Sequence, residues 1–261
     1  MDKTMSNNIK VSIITPSFNQ GEYIEETILS VLNQDYKNIE YILIDGGSTD
    51  NTMNIVEKYR DKIDIVIHEK DRGQSDAINK GFRLATGEIV GWINSDDVLY
   101  PDCVSAIVNL YRNNKKGVVF YCSKLDLIDE KGNFIKLVEK YIPDRDHLLY
   151  NNYDVIQQGS FYKTDTVRQI NYLDESIHYC MDLELWMRLL EYGGIYALDQ
   201  KAYSGFRIWE ETKTTTGQER FFRDIKIVLI KYGAQVYSKT IIKLNWYILK
   251  AKVKRFLNYK K

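Results

Sequence analysis

The chain has 261 residues, with 36 Lys and Arg balanced by 36 Asp and Glu. That length buries a substantial core, as one large α/β domain or two small ones, and the even charge gives no reason to expect an extended nucleic-acid-binding surface. Cys103, Cys122 and Cys180 are widely spaced with no CxxC pair, which argues against a disulfide framework or zinc site and fits a reducing compartment.

The polar start MDKTMSNNIK has no apolar core of a signal peptide, and no run of 18 apolar residues occurs, so the expectation is a cytoplasmic protein. VSIIT (11–15) is a short β-branched run that ends in the turn-forming Pro16-Ser17-Phe18-Asn19-Gln20-Gly21. Ile24, Ile28, Val31 and Leu32 then recur at helical spacing, with Glu22, Glu25 and Glu26 placed where they favour the helix dipole. The unit repeats as a strand IEYILI (39–44), a loop DGGSTDNT (45–52) and a helix over roughly 52–61. IDIVIH (63–68) is a third strand, followed by EKDRGQSD and the helical AINKGFRLA, and EIVGWI (88–93) is a fourth that stops at Asn94-Ser95-Asp96-Asp97. This alternation predicts a parallel sheet with covered faces. Ligands bind such sheets beyond the carboxyl ends of the strands, where all four polar loops lie.

From about residue 116 the pattern is less regular. GVVFYCSKLDLID (117–129) reads as one strand, EKGN as a hairpin turn and FIKLVEKYI as its return. QQGSFYKTDTVRQI (157–170) follows, then a helix MDLELWMRLLEYG (181–193) with Leu185, Trp186, Leu189 and Leu190 at core spacing. Residues 239–261 carry eight basic and no acidic side chains. On a helix, Ile242, Trp246, Leu249, Val253 and Phe256 form one stripe, with Lys243, Lys250 and Lys254 opposite. The stripe fits an anionic membrane surface or a terminal helix packed on the domain, and the sequence does not choose between them.

Adjacent carboxylates on a loop, beside Asn94 and Ser95, suit Mg²⁺ or Mn²⁺, which take oxygen ligands and keep room for phosphate. Ser-Asp-Asp before Tyr-Pro is also ordinary turn chemistry leading to a helix with Pro101 at its first position. There is no GxxxxGK[ST] and no GxGxxG, which disfavours a P-loop enzyme or dinucleotide oxidoreductase.

The stretches VSIITPSFNQGEYIEETILSVLNQDYKNIEYILIDGGSTDNT and DRGQSDAINKGFRLATGEIVGWINSDD, with QQGSFYKTD and YCMDLELWMRL further on, resemble family 2 glycosyltransferases, the inverting enzymes of the GT-A fold. The resemblance implies an α/β GT-A domain over 9–217, divided into a nucleotide-sugar half (9–115) and an acceptor half (116–217), with a helical tail over 218–261. It implies that Pro16 and Phe18 flank the nucleotide base, that Asp45 lies beside it, that Asp96 is near the donor sugar and that Asp97 is a metal ligand. It also implies that Asp182 is the general base on an acceptor hydroxyl, the one base an inverting displacement needs. Asp is equally a favoured helix cap at that position, and Glu184 is the alternative base. Arg188 and Lys213, with Thr214, are candidate diphosphate contacts, and Asp76 and Asn79 are donor-side candidates that also suit helix capping near Gly73.

Besides Ile78, which stands where an arginine is frequent, two positions depart from the family pattern. Gly46 stands where many members have a second aspartate that reads uracil, and Trp209 stands where an Arg-x-His element would place a histidine. The expected function is transfer of a sugar from a nucleotide-diphosphate donor, a UDP-sugar, to a saccharide or polyprenyl-diphosphate-linked acceptor at the cytosolic membrane face, with no nucleic-acid partner. A sugar-nucleotide-forming nucleotidyltransferase and a non-catalytic binding protein of the same fold are the rival readings.

Overall fold

The computed structural model describes residues 9–210 and 217–258, with the side chains of Gln218 and of 253–258 excepted. The first half runs β1 (Val11–Ser17), α1 (Ile24–Leu32), β2 (Ile39–Asp45), α2 (Thr52–Glu57), β3 (Ile65–His68), α3 (Gln74–Leu84), β4 (Ile89–Trp92), β5 (Val98–Leu99) and α4 (Cys103–Asn113). The second half continues with β6 (Gly117–Cys122), β7 (Lys124–Ile128), β8 (Phe134–Glu139), α5 (Arg145–Tyr150), β9 (Phe161–Lys163), α6 (Thr164–Gln169), α7 (Met181–Leu189), β10 (Gly194–Leu198) and β11 (Ser204–Arg207). Two helices, α8 (Gln218–Lys231) and α9 (Lys239–Asn258), close it.

A seven-stranded sheet in the order β10-β6-β9-β4-β1-β2-β3 forms the centre. Every neighbour pair is parallel except those made by β9, which runs antiparallel between β4 and β6. Side chains of a strand alternate between faces, and the core divides accordingly. Ile14, Ile42 and Ile44 pack with Ala77, Ile78 and Phe82 of α3 and with Leu185 and Trp186 of α7. Val11, Ile13, Tyr41 and Leu43 face the other way, onto Ile24 and Ile28 of α1 and Val104 and Ile107 of α4. The α3 helix lies so close to β1 that a Cβ on Gly81 would fall 2.5 Å from Ile14 Cγ2. Pro16 lies in β1 beyond Ile14, the last residue paired with β4, so its missing N–H faces a ladder that has already ended on that side.

The predicted strand 117–129 is two strands. β6 belongs to the large sheet and β7 to a second, four-stranded sheet, β5-β11-β7-β8, and the switch falls at Ser123, whose N–H and hydroxyl both donate to Leu198 O. The helix predicted to 61 ends at Glu57, and α4 begins at Cys103 with Asp102 at its cap, so Pro101 precedes the helix instead of holding its first position.

α9 packs against the domain through Thr240, Ile241 and Leu244, which are buried. Ile242, Trp246 and Leu249 of the predicted stripe are 57%, 50% and 59% exposed. The docking face is thus offset from the stripe, which is left facing outward. The side chains of Val253 and Phe256 lie outside the described residues.

Candidate functional site

The loops after β1, β2, β3 and β4 meet at one end of the large sheet, as parallel strands require. The first two are stitched together. Asn19, in the left-handed region at φ 51°, donates its N–H to Ser48 Oγ (2.7 Å) and accepts from Thr49 N–H (2.9 Å), while Gln20 N–H donates to Thr52 Oγ1 (2.8 Å). Phe18, 57% exposed, leaves an aromatic ring at the mouth of the crevice.

Asp45 is fully buried at the end of β2, where its carboxylate accepts from Gly47 N–H, Ser48 N–H and Ser48 Oγ and lies 2.6 Å from His68 Nδ1. Its oxygens shape the loop. Gly46 has a steric reason to lack a side chain: a Cβ there would lie 2.3 Å from Asp71 Oδ2. Asp71, which sequence reasoning passed over, thus fills with its carboxylate the space a side chain at 46 would occupy, and Gly73 N–H holds its other oxygen (2.8 Å). Asp76 accepts from Arg72 N–H (3.0 Å) and Arg72 Nη2 (2.8 Å), and the Arg72 bond leads in holding its carboxyl below the usual range. Asn79 is buried and brackets Leu173, donating to its carbonyl (3.0 Å) and accepting from its N–H (2.9 Å).

The two adjacent carboxylates differ. Asp97 is fully buried: Oδ1 accepts from Arg207 N–H (3.0 Å), and Oδ2 from Gln158 Nε2 (2.9 Å) and Asn94 Nδ2 (3.1 Å). Burial, reinforced by the Asp96 charge, pushes its carboxyl well above the usual range against these donors. Asp96 is only partly buried and takes an indole N–H from Trp209 at 2.9 Å on Oδ2. Burial raises its carboxyl also, opposed by the Trp209 bond and the Arg207 charge. Trp209 in turn rests on Tyr23, ring centroids 5.2 Å apart. Where a histidine was expected, an indole therefore orients a carboxylate.

Arg207 joins these parts. Its side chain is 1% exposed, and it donates from Nε to Asp96 O (2.8 Å), from Nη1 to Asp129 O and Glu130 O, and from Nη2 to Glu26. It also lies over the Tyr23 ring. Sequence reasoning gave it no role. Its local signal was its place as the arginine of the Arg-x-His-like element, in the strand-like GFR two residues before Trp209.

Asp182 is the second residue of α7, partly exposed, and accepts from Leu183 N–H at 2.8 Å. Cys180 holds the cap position, so the capping role is not Asp182's. Ser75 Oγ donates to Met181 Sδ (3.1 Å), which brings the first turns of α3 and α7 together. Glu184 is buried and bonded to Arg188 through both oxygens (2.9 and 2.6 Å) and to Tyr232 Oη. Arg188 also donates to Ile170 O (2.6 Å) and Tyr172 O (2.7 Å), just before and at the end of a left-handed pair, Asn171 and Tyr172. Its guanidinium is committed inside the fold. Lys213 and Thr214 lie outside the described residues.

A divalent ion fits the donor set in one manner. Among the described residues no three His, Cys, Asp or Glu side chains converge as a metal cage, and Asp97 is fully buried and already accepts three protein hydrogen bonds. Asp96 remains as one carboxylate, which suits Mg²⁺ or Mn²⁺ completed by phosphate oxygens and water. Ser17 Oγ at the end of β1, Gln20 Oε1 in the loop after it and Gln74 Oε1 at the start of α3 are buried without a hydrogen-bond partner, as expected where polar ligand atoms are to be met.

Comparison with known proteins agrees with this architecture. The chain is 32% identical over 213 residues to an uncharacterized glycosyltransferase of Rickettsia typhi, covering 79% of this chain and 66% of that one. It is 27% identical to chondroitin synthase of Escherichia coli, over 87% of this chain and 34% of the relative. The chain thus spans about two thirds of the first relative and a smaller part of the second. S. aureus TarS in complex with UDP-GlcNAc superposes with a TM-score of 0.69 at 19% identity, covering 93% of this chain and 71% of that one. The mannosyltransferase PcManGT of Pyrobaculum calidifontis, in complex with GDP-Man and Mn²⁺, gives 0.67 at 15%, covering 95% and 74%. At such identities these structures establish the shared GT-A-like fold. The model for glycosyl transferase family 2 matches residues 12–183, from the first strand through the carboxylate loop to the start of α7, and the chain belongs to that family.

Proposed function

We propose that the protein is an inverting, metal-dependent glycosyltransferase that moves a sugar from a nucleotide-diphosphate donor, a UDP-sugar, to a hydroxyl of a saccharide or polyprenyl-diphosphate-linked acceptor, in cell-surface polysaccharide biosynthesis. The observation that carries this reading is the placement of two carboxylates on rigid supports: Asp96, held by Trp209 beside the Arg207 hub, and Asp182 in the first turn of α7. Asp182 accepts the proton of the acceptor hydroxyl as its oxygen bonds to the anomeric carbon, while the bond from that carbon to the diphosphate oxygen breaks. Asp96 would hold a Mg²⁺ or Mn²⁺ ion, whose charge would offset that on the departing diphosphate.

We assign the metal-facing role to Asp96 rather than Asp97, because Asp97 is fully buried and already accepts three protein hydrogen bonds, which suits a positioning residue. Pro16 sets the end of β1, and Phe18 offers the ring on which the base stacks. Asp71 is the carboxylate placed to read the base in the absence of a side chain at 46. Asp45, Asp76, Asn79 and Arg188 brace the loops around the donor, and Lys213 is assigned to the diphosphate.

Purified protein is incubated with Mn²⁺ or Mg²⁺ and a panel of nucleotide sugars, and released nucleoside diphosphate is read with and without saccharide acceptors. Asp182→Asn is expected to abolish transfer while donor binding persists, and Asp96→Ala to abolish both transfer and metal-dependent donor binding. Equal release by the wild type and Asp96→Ala across the panel would refute metal-dependent transfer.

A further inference from the structure

We propose that the outer face of the α8–α9 pair docks on an anionic lipid surface. α9 turns its buried residues, Ile241 and Leu244, to the domain and leaves Ile242, Trp246 and Leu249 exposed. At about 100° per residue these three form a narrow apolar strip, and Lys243 and Lys250, with Lys239, flank it on one side instead of standing opposite, while Lys252 borders the other. All four lysines are exposed, and Lys250 Nζ stands 3.6 Å above the Trp246 ring. α8 extends the same face. Between the helices runs a groove of about 600 Å³ in which Ile227, Ile230 and Leu249 lie alongside Arg223, Lys226 and Lys252. Ile227 is 65% exposed.

The charge pattern selects the occupant. Residues 239–258 contain no acidic side chain. Of the two acids on α8, Glu219 is paired with Arg223 at 2.5 Å, and Asp224 is partly buried, its charge reaching inward to the Cys180 thiol. An apolar strip with cations along its borders suits a helix lying in the plane of a membrane, with aliphatic groups below the phosphates and lysines among them. Among the described residues no helix is long and apolar enough to cross a membrane, so the contact is with one leaflet surface.

The hairpin is also bound to the site. Tyr232 Oη donates to Glu184 of α7, and Lys231 lies 3.5 Å from Asp174. A surface-docked hairpin therefore fixes the orientation of α7, and of Asp182, to the lipid plane. Docking does not depend on the transfer reaction, so either can fail without the other.

The test is flotation of the full chain with phosphatidylcholine vesicles, with and without phosphatidylglycerol. Binding is expected only with phosphatidylglycerol, and is lost as salt rises from about 0.1 M to about 1 M and the Debye length shrinks from ~10 to ~3 Å. Lys243→Gln with Lys250→Gln and Lys252→Gln is expected to lower partitioning on the order of 100-fold, about fivefold for each basic residue beside an anionic leaflet. Ile242→Ser with Trp246→Ser and Leu249→Ser, all exposed, is expected to keep the melting temperature and lose binding. The blue shift of tryptophan emission on vesicle addition should vanish in Trp246→Phe. Absence of wild-type flotation, or equal binding by the triple variants, overturns the proposal. So does a concentration-dependent dimer that the serine variant dissolves, which would give this face to a second copy.

Discussion

Replacing Arg207 by methionine separates its side chain from the rest of the site, because the main-chain N–H to Asp97 survives the change. Methionine keeps most of the length and removes every guanidinium donor. The carbonyls of Asp96, Asp129 and Glu130 then lose their partners. Asp96 and Asp129 are only partly enclosed and Glu130 is exposed, so the lower end of the cost for an orphaned acceptor applies, at most about 1 kcal/mol apiece and at most about 3 kcal/mol in all. Glu26 adds little, since its side chain is 54% exposed and can turn to water. A loss of about 3 kcal/mol is a large part of a typical stability of about 5–15 kcal/mol. With a urea slope of roughly 3 kcal/mol/M, the unfolding midpoint falls by up to about 1 M with unchanged slope. Equilibrium urea unfolding followed by circular dichroism measures this. A midpoint within about 0.2 M of wild type would show that the guanidinium does not hold the carboxylate loop, and would remove the basis for calling it a hub.

Further outcomes follow from neighbouring contacts. Trp209→Phe keeps the ring against Tyr23 but removes the N–H on Asp96; Mn²⁺ binding with nucleoside diphosphate, read by electron paramagnetic resonance, should weaken by roughly 10-fold, the usual scale for a lost outer partner of a metal ligand. Gly46→Ala puts a methyl against the Asp71 carboxylate, and Asp71→Asn alters its charge; both should raise the donor KM by roughly 10-fold, and an unchanged KM for either would dismiss Asp71 as a base contact. Glu40 lies at the opposite end of the sheet. Its burial raises the carboxyl, but bonds from Lys10, Ser12 and Thr86 outweigh that and hold it at about 2 against 4.5. A folded value below the unfolded one stabilises the protein above pH 4.5, and the contribution, at most about 3 kcal/mol, is lost as pH falls from 4.5 toward 2. Glu40→Gln should lower the melting temperature at pH 7 and flatten its decline with acid; an acid profile parallel to wild type would contradict the assignment.

The loops of the crevice were legible because each follows a β-branched run and precedes a helical period, which fixes their common end of the sheet. Two features were not. Whether Asp96 or Asp97 faces outward depends on donors 61, 110 and 113 positions away, Gln158, Arg207 and Trp209, and no local pattern encodes such distances. Arg188 looked available on a helix surface, yet a loop folds back to offer it two carbonyls. The tail was ambiguous for a related reason. Its strongest apolar stripe is outward, while docking uses Ile241 and Leu244, a choice made by the surface that receives the helix.

The hairpin tip between β7 and β8 follows from the same hub. Such tips are ordinarily where chains accept inserted residues or a protease cut with little harm. Here the carbonyls of Asp129 and Glu130 are held by Arg207, so lengthening or nicking the tip would slacken a loop that lies in a different sheet-end cluster and some thirty residues earlier in the chain. Natural length variation in this protein should therefore avoid a turn that, by its position alone, looks free to vary.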